Sequence, residues 1–547
     1  LGAPLRDAES IELRLAAVDE LVDGPGLRDR LQAVLKPIGD LERLVARAAQ
    51  GHASARELVV LRRSLDAIPA LQDTLAACAA LVTRELAADI TAAPELASRL
   101  TAALVEDPPA TTREGGAIRH GYDVDLDSIS EGSRTAREWI ARLEAAERKR
   151  TGIRSLKIGF NKVFGYYIEV SHANRVALPD DYLRKQTLTG GERYITPELK
   201  EKEGVVLSAQ ERIAARELEI LQDLAGAVAD AAPTLRKSAQ AVGMLDALAS
   251  LAAAAAEQAW RRPEVNAGLR LSIQGGRHPL VERGLPAGVF VANDLELDPD
   301  GAQIVILTGP NMAGKSTYLR QAAMIVLLAQ CGSFVPADRA VIGLADRVFT
   351  RVGAHDDISA GMSTFMVEMT ETAYILNHAT RSSLVIFDEV GRGTSTYDGV
   401  SIAQAVVEHL HDSPRLGSRT LFATHYHELT ALAERLPRVS NQRVEVLEEG
   451  ETVRFLHRVV PGGADRSYGI HVAALAGLPG GVIARARDVL ADLERQRPLE
   501  PPEVQLGLPI EAGPDPLRQE LEEIDPASLS PLEALQKLYQ LRARLAP

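Results

Sequence analysis

Cysteine and aromatic residues are scarce in this chain of 547 residues: there are two cysteines, Cys78 and Cys331, and Phe, Trp and Tyr together make up 4%. Two distant cysteines supply neither a disulfide framework nor the paired spacing of a zinc site, and a reducing cytoplasm suits them. Long apolar runs are missing as well. The best stretches, around Leu251–Ala256 and Ala322–Leu328, fall short of the roughly 18 residues that span a bilayer, so no membrane segment and no secretory signal is expected. The chain opens at Leu1 rather than Met, inside the helical pattern "PLRDAESIELRLAAVDELV", as expected of the later part of a longer protein. Basic residues are outnumbered, 61 against 75 acidic, for a net charge of −14. That excludes a uniformly basic coat, but not a local surface for nucleic acid.

What is present is an ordinary globular balance, 46% hydrophobic and 25% charged, in a chain long enough for several domains. Residues 1–152 carry apolar side chains at three- and four-residue spacing, as in "ARELVVLRRSLDAIPALQDTLAACAALV", and read as helices. Residues 153–203 change texture: "LKIGFNKVFGYYIEVS" has β-branched and aromatic residues between glycines and reads as strands. Helical spacing resumes over 204–262, with Ile213, Ile220, Leu221, Leu224 and Val228 on one stripe. The pattern predicts a small β-rich domain inserted at the tip of a helical lever. From 263 to 465 strands alternate with helices, which predicts an α/β domain with a mostly parallel sheet. Residues 497–516 hold six prolines and read as a linker. In 517–547, Ser530, Pro531 and Glu533 have the spacing of a helix N-terminus, and the following apolar face suits a partner helix.

The strongest chemical signal is "QIVILTGPNMAGKSTYLRQ". An apolar strand leads into Gly309, Pro310, Asn311, Met312, Ala313, Gly314, Lys315, Ser316 and Thr317, and a helix follows. This is the context of a P-loop, whose backbone N–H groups and helix N-terminus bind phosphate oxygens. Lys315 would reach the β- and γ-phosphates of ATP, and Ser316 would bind Mg²⁺. "SSLVIFDEV" adds a second apolar strand ending in Asp388 and Glu389. An acidic pair ends many strands, but downstream of a P-loop Asp388 suits the Mg²⁺ shell and Glu389 an attacking water. A third strand, "TLFATH", ends in His425, which is either structural or a sensor of the γ-phosphate.

"TGPNMAGKST", "STFMVEMTE", "FDEVGRGTSTYDG" and "FATHYHEL", in this order, resemble the ATPase domain of the MutS family of DNA mismatch repair proteins, within the ABC-type ATPases. The resemblance runs from Leu5 to the C-terminal helix. It implies a multidomain chain: lever helices, an inserted β-rich clamp, an ABC-type ATPase, a helix-turn-helix dimerisation element at 466–496 ("SYGIHVAALAGLPGGVIARARDVL") and an oligomerising tail. It implies an ATP- and Mg²⁺-dependent hydrolase, active as a homodimer or higher oligomer on double-stranded DNA, in the bacterial cytoplasm at the nucleoid, with a MutL-like protein acting downstream. Ser363, in the signature loop "ISAGMSTFMVEMTETA", would approach the ATP held by the partner subunit, and "GRGTSTYDG" would cross the same interface. Asn311 would lie near the phosphates. Phe290 in "FVAND" would pack on adenine, although an ordinary core position is an equal reading.

Residues 154–200 carry eight basic and five acidic side chains, a local +3. Charge alone allows a solvated face; the resemblance of "RKQTLTGGERYITPELKE" to the clamp makes Lys162, Arg184, Lys185, Arg193 and Lys200 candidates for contact with the DNA backbone. The family reads mismatches with a Phe-x-Glu in an N-terminal domain. The one such triplet here, Phe387–Glu389, belongs to the nucleotide site, so the mismatch reader is expected to be missing from this chain. The alternatives are a structural DNA clamp locked by ATP, or another ABC-type ATPase.

Overall fold

The computed structural model describes residues 2–495 except 112–114, 162–164, 173–177, 311–312, 354–362, 450–451 and 464–467. The expected linker and tail therefore lie outside the described residues, as do Lys162, Asn311, Met312 and residues 358–362 of the signature loop. The chain divides into two compact units, residues 1–472 and 473–547.

In the first unit, helices α1 (Ala8–Asp23), α2 (Pro25–Leu35), α3 (Leu41–Ala49), α4 (Ala55–Leu75), α5 (Leu81–Asp89) and α6 (Pro94–Ala103) form a bundle. Helix starts follow local chemistry: Asp7, Asp40 and Ser54 each accept a backbone N–H of the first turn, Ser54 as part of a capping box with Glu57. An arm, α7 (Val124–Thr151), is capped by Asp123 and ended by Gly152 at φ +72°. It leads to an antiparallel sheet of β1 (Lys157–Asn161), β2 (Gly165–Ser171), β3 (Leu183–Thr187) and β4 (Gly191–Ile195), in the order β1-β2-β4-β3. The return arm, α8 (Pro197–Glu257), is one helix of 61 residues, about 90 Å long at 1.5 Å per residue. It starts seven residues before Gly204, where the spacing suggested, because Thr196 caps it by accepting from the Leu199 N–H and Pro197 takes the first helical position.

The two ends of α8 serve different cores. Near its start, Leu199 and Val206 join Ile140 and Leu143 of α7 under the small sheet. Beyond Ile220 its apolar stripe is buried against the bundle, through Leu224, Val228, Leu245 and Leu248. Within it lies a window long and apolar enough to cross a membrane by length and composition, contrary to the expectation that no segment is. The Ala- and Leu-rich composition comes from packing: Leu248, Ala249 and Ala252 are at most 1% exposed in the bundle core.

The remaining strands and helices are β5 (Glu264–Asn266), β6 (Leu271–Gly276), α9 (Pro279–Arg283), β7 (Asn293–Leu297), β8 (Ile304–Thr308), α10 (Lys315–Gln330), β9 (Arg339–Gly343), β10 (Val348–Val352), α11 (Thr364–His378), β11 (Leu384–Asp388), α12 (Thr396–Asp412), β12 (Arg419–Ala423), α13 (Leu432–Arg435), β13 (Val439–Glu449) and β14 (Thr452–Pro461). Strands β10, β11, β12, β8 and β13 pair in parallel, with β14 added antiparallel at one edge. Alternate residues serve opposite faces: Val305, Leu307, Leu384, Ile386 and Leu421 pack toward α10, while Ile304, Ile306, Val385, Phe387 and Phe422 pack toward α11 and α12. A second sheet, β5-β9-β6-β7, shares the α10 side. The mixed helix and sheet architecture with a mostly parallel central sheet is as the pattern predicted. Helices α14 (Gly469–Leu475) and α15 (Gly480–Arg495) follow.

Candidate functional site

The carboxyl ends of β8, β11 and β12 lie side by side, where open α/β sheets bind ligands. Beyond β8 the chain turns through Gly309 at φ +143°, a conformation that suits glycine, with Val444 only 3.2 Å from where a Cβ would stand. Gly314, at φ +105°, caps α10, and Lys315 is the first residue of that helix. Lys315 is 4% exposed; its ammonium donates to the Gly309 carbonyl and lies 3.5 Å from Glu389. Burial pushes its pKa below the ordinary lysine value, against the pull of Glu389. Pro310 and Ala313 are buried in the loop, and Ser316 and Thr317 are half-buried at the start of the helix.

The β11 end brings in the acids. Burial raises the pKa of Asp388 while its hydrogen bond with Ser316 opposes the rise. Its Oδ1 is buried with no hydrogen-bond partner among the described residues. A hydroxyl and an orphaned carboxylate oxygen side by side are hard donors, and the pair fits a Mg²⁺ ion. Glu389 sits at φ +62°, outside the usual range for a side chain of its size. Its N–H donates to the Ala423 carbonyl at 2.9 Å, and its carboxylate pairs with both Lys315 and Arg392. A cavity of about 460 Å³ opens over this group, lined by Ser316, Arg320, Asp388, Glu389 and Arg392.

His425 lies two residues past the end of β12, not on the strand as expected. Burial lowers its pKa, favouring the neutral imidazole, and its Nδ1 is buried with no partner among the described residues.

Phe290 lines a second, mostly apolar cavity of about 280 Å³, beside Ala313, Gly314, Thr317, Tyr318 and Val444. Ser316 thus borders the charged cavity, while Ala313, Gly314 and Thr317 border the apolar one with its aromatic wall. His457 also lines the apolar cavity; its Nδ1 faces the Ala313 carbonyl at 2.9 Å, and its carbonyl accepts from Asn293 at 3.0 Å. Sequence reasoning missed His457, which carries no motif, and Asn293, which stands in "FVAND" but was given no role; they lie on β14 and β7, far apart in the chain. It also missed Arg351 and Glu368, buried at the rim of the charged cavity.

Ser363 is exposed and caps α11, its hydroxyl accepting from the Met366 N–H at 3.2 Å. Among the strand-rich residues, Arg184 and Lys185 stand exposed on β3, at the edge of the sheet. A bulge between Arg184 and Gln186 adds local twist there. Lys200 is exposed and paired with Glu203. Arg193 is different: its side chain is 18% exposed, bonded to Glu169 at 3.1 Å and Gln186 at 3.0 Å, with the guanidinium 4.0 Å from the Tyr167 ring centroid. It braces neighbouring strands.

Family models match most of the chain: MutS domain III over residues 1–252, MutS domain V over 305–494, and the DNA mismatch repair protein MutS C-terminal region over 511–544. DNA mismatch repair protein MutS of Salinibacter ruber is 47% identical across 100% of this chain and 65% of its own length. That of Methanosarcina acetivorans is 46% identical over 99% and 63%, and that of Anaeromyxobacter dehalogenans 51% over 98% and 64%. The chain therefore spans a little under two thirds of the length of these curated relatives. With identity near one half along all of it, and with the loop, the acids and the helical arms in one body, the chain belongs to the MutS family of DNA mismatch repair proteins.

Proposed function

We propose that this chain is the ATP-hydrolysing, DNA-clamping part of a mismatch repair protein, working as a homodimer or larger assembly. The observation that carries the reading is the buried cluster at the end of the central sheet. Lys315, Asp388 and Glu389 converge on a glycine-shaped loop, and an Asp388 oxygen is left without a partner among the described residues. Isolated buried polar groups cost about 1–3 kcal/mol, so such a group is kept for a ligand.

ATP would lie along Gly309, Pro310, Asn311, Met312, Ala313, Gly314, Lys315, Ser316 and Thr317. Its adenine would occupy the apolar cavity against Phe290 and its γ-phosphate would reach the charged one. Ser316 and Asp388 would hold Mg²⁺, which when bound neutralises charge developing on the β- and γ-phosphate oxygens. Glu389, turned by its left-handed backbone toward Lys315, accepts a proton from the attacking water. His425, neutral, contacts the γ-phosphate region from the β12 side. Ser363 of one subunit would complete the site of the other. The sheet between α7 and α8 is the clamp: Arg184, Lys185, Lys200 and Lys162 would touch phosphates of double-stranded DNA, with Arg193 holding the strands they stand on. Closure at the ATP site would travel along α8, and a MutL-like protein would read the closed state.

The test is steady-state ATP hydrolysis by the full chain beside Glu389→Ala. Turnover should fall by about 10²–10⁴-fold, with ATP still bound. A variant that hydrolyses like the parent would favour the other reading, a DNA clamp in which ATP serves only as a lock.

A further inference from the structure

Gly391, two residues beyond Glu389, is gripped at both ends of its residue. Its N–H donates to Oε1 of Glu368 on α11 at 2.5 Å. Its carbonyl accepts from the Tyr426 hydroxyl at 2.9 Å. Both partners are nearly buried: Glu368 is 4% and Tyr426 6% exposed. No side chain would fit between. Gly391 lies at φ +95°, and a Cβ there would stand 2.7 Å from the Gly399 carbonyl oxygen. One step on, a Cβ on Gly393 would stand 2.7 Å from the Cβ of Phe365, so the same loop meets α11 a second time.

Glu368 is itself fixed from behind. Arg351, at the end of β10 and 4% exposed, pairs with it at 3.3 Å and with Glu371, one turn along α11, at 3.2 Å. Arg351 stands opposite Phe387 in the parallel ladder, one residue before the Asp388 pair. The carboxylate therefore links three things: the central sheet, α11, and the loop that carries Glu389 and Arg392. Tyr426 extends the link to His425, its neighbour in the chain, whose ring lies 4.6 Å from its own.

We infer that Glu368 is a positioning residue for hydrolysis: through the Gly391 N–H it sets the place of Glu389 by the seating of α11, the helix that Ser363 begins. The inference rests on the ATPase reading above and names how that site is regulated. A buried ion pair is a poor source of stability, since the desolvation of both charges offsets their attraction, whereas a bistable contact between two elements is what coupling requires. If the partner subunit pulls on the start of α11, Gly391 moves with it, and the water-activating carboxylate is brought in or out of line.

The test uses the full chain, four single variants, Glu389→Ala, Glu368→Ala, Glu368→Gln and Tyr426→Phe, and the double variant of Glu368→Ala with Tyr426→Phe. A parent without turnover, or a Glu389→Ala variant as active as the parent, sinks the ATPase reading and this inference with it. With that reading standing, Glu368→Ala should lower kcat by about tenfold or more while ATP affinity stays within about twofold. Glu368→Gln keeps an acceptor for the Gly391 N–H and should recover most of the loss. Tyr426→Phe should lower kcat less, and in combination with Glu368→Ala the two losses should fall short of additive, because both act on one peptide. The inference is overturned if Glu368→Ala turns over ATP like the parent, if kcat and affinity fall together, if Gln is no better than Ala, or if the two losses simply add.

Discussion

Charged side chains are held in opposite ways in the α/β domain and in the small sheet between α7 and α8. At the carboxyl edge of the central sheet, Lys315 is 4% exposed, and Asp388 and His425 each keep a buried atom with no partner among the described residues. In and beside the small sheet, Arg184 of β3, Arg193 of β4 and Lys200 in the first turn of α8 each lie beside a carboxylate, with Arg184 and Lys200 more than half exposed. The first region is preorganised: its groups are desolvated in advance and wait for opposite charge. The second holds Arg184 and Lys200 in water, where ion pairs are worth about 0–1 kcal/mol, and packs only Arg193 between its strands. The proposed hydrolysis calls for the first arrangement, the proposed grip on DNA for the second.

The comparison breaks most visibly at Lys315. Lys315→Ala should weaken ATP binding by at least about a hundredfold, near 2.8 kcal/mol at 1.4 kcal/mol per decade; calorimetric binding close to that of the parent would put the phosphates elsewhere. Gly165→Ala probes the root of the small sheet, where Gly165 lies at φ +76° and a Cβ would fall 2.3 Å from a Glu203 carboxylate oxygen. A loss of about 1–3 kcal/mol of stability is expected, and an unmoved denaturation midpoint would mean that Glu203 does not press on this turn. Phe290→Ala should cost about tenfold in ATP affinity while leaving turnover at saturation intact; loss of turnover with unchanged affinity would remove the ring from the adenine pocket. The smallest effects belong to the exposed cations. Arg184→Ala and Lys185→Ala should each lower the salt slope of duplex binding by about one. Arg193→Ala should leave that slope alone and lower the stability of the sheet, and a changed slope would return Arg193 to the contact surface.

Much of this was legible residue by residue. The period of three to four gave the helices, and the apolar runs at Ile304–Leu307 and Leu384–Phe387 gave strands buried on both faces, because a central parallel strand has no solvent side on which to place polar residues. The spacing of Gly309 and Gly314 announced a glycine-dependent turn into α10, since both lie at positive φ, where side chains are strained. Other points were not legible. The start of α8 lay hidden among charged residues, marked by the Thr196 cap and Pro197 after it. The basic count of the small sheet did not tell Arg193 from Arg184, because a cation facing its own strands and one facing water look the same in one dimension. The apolar composition of α8 suggested no span by eye, yet one window qualifies, and burial against the bundle accounts for it.

The sequence by itself determined the local elements and the identity of the groups at each strand end, because propensity, capping and hydrophobic period act within a few residues. The tertiary structure alone decided which of those groups meet. Asn293 and His457 come together at one wall of the apolar cavity, and Arg351, Glu368, Gly391 and Tyr426 form one junction, although they lie on four separate stretches of chain. Such meetings are fixed by sheet order and register, which depend on the packing of the whole domain and leave no periodic trace in the residues themselves.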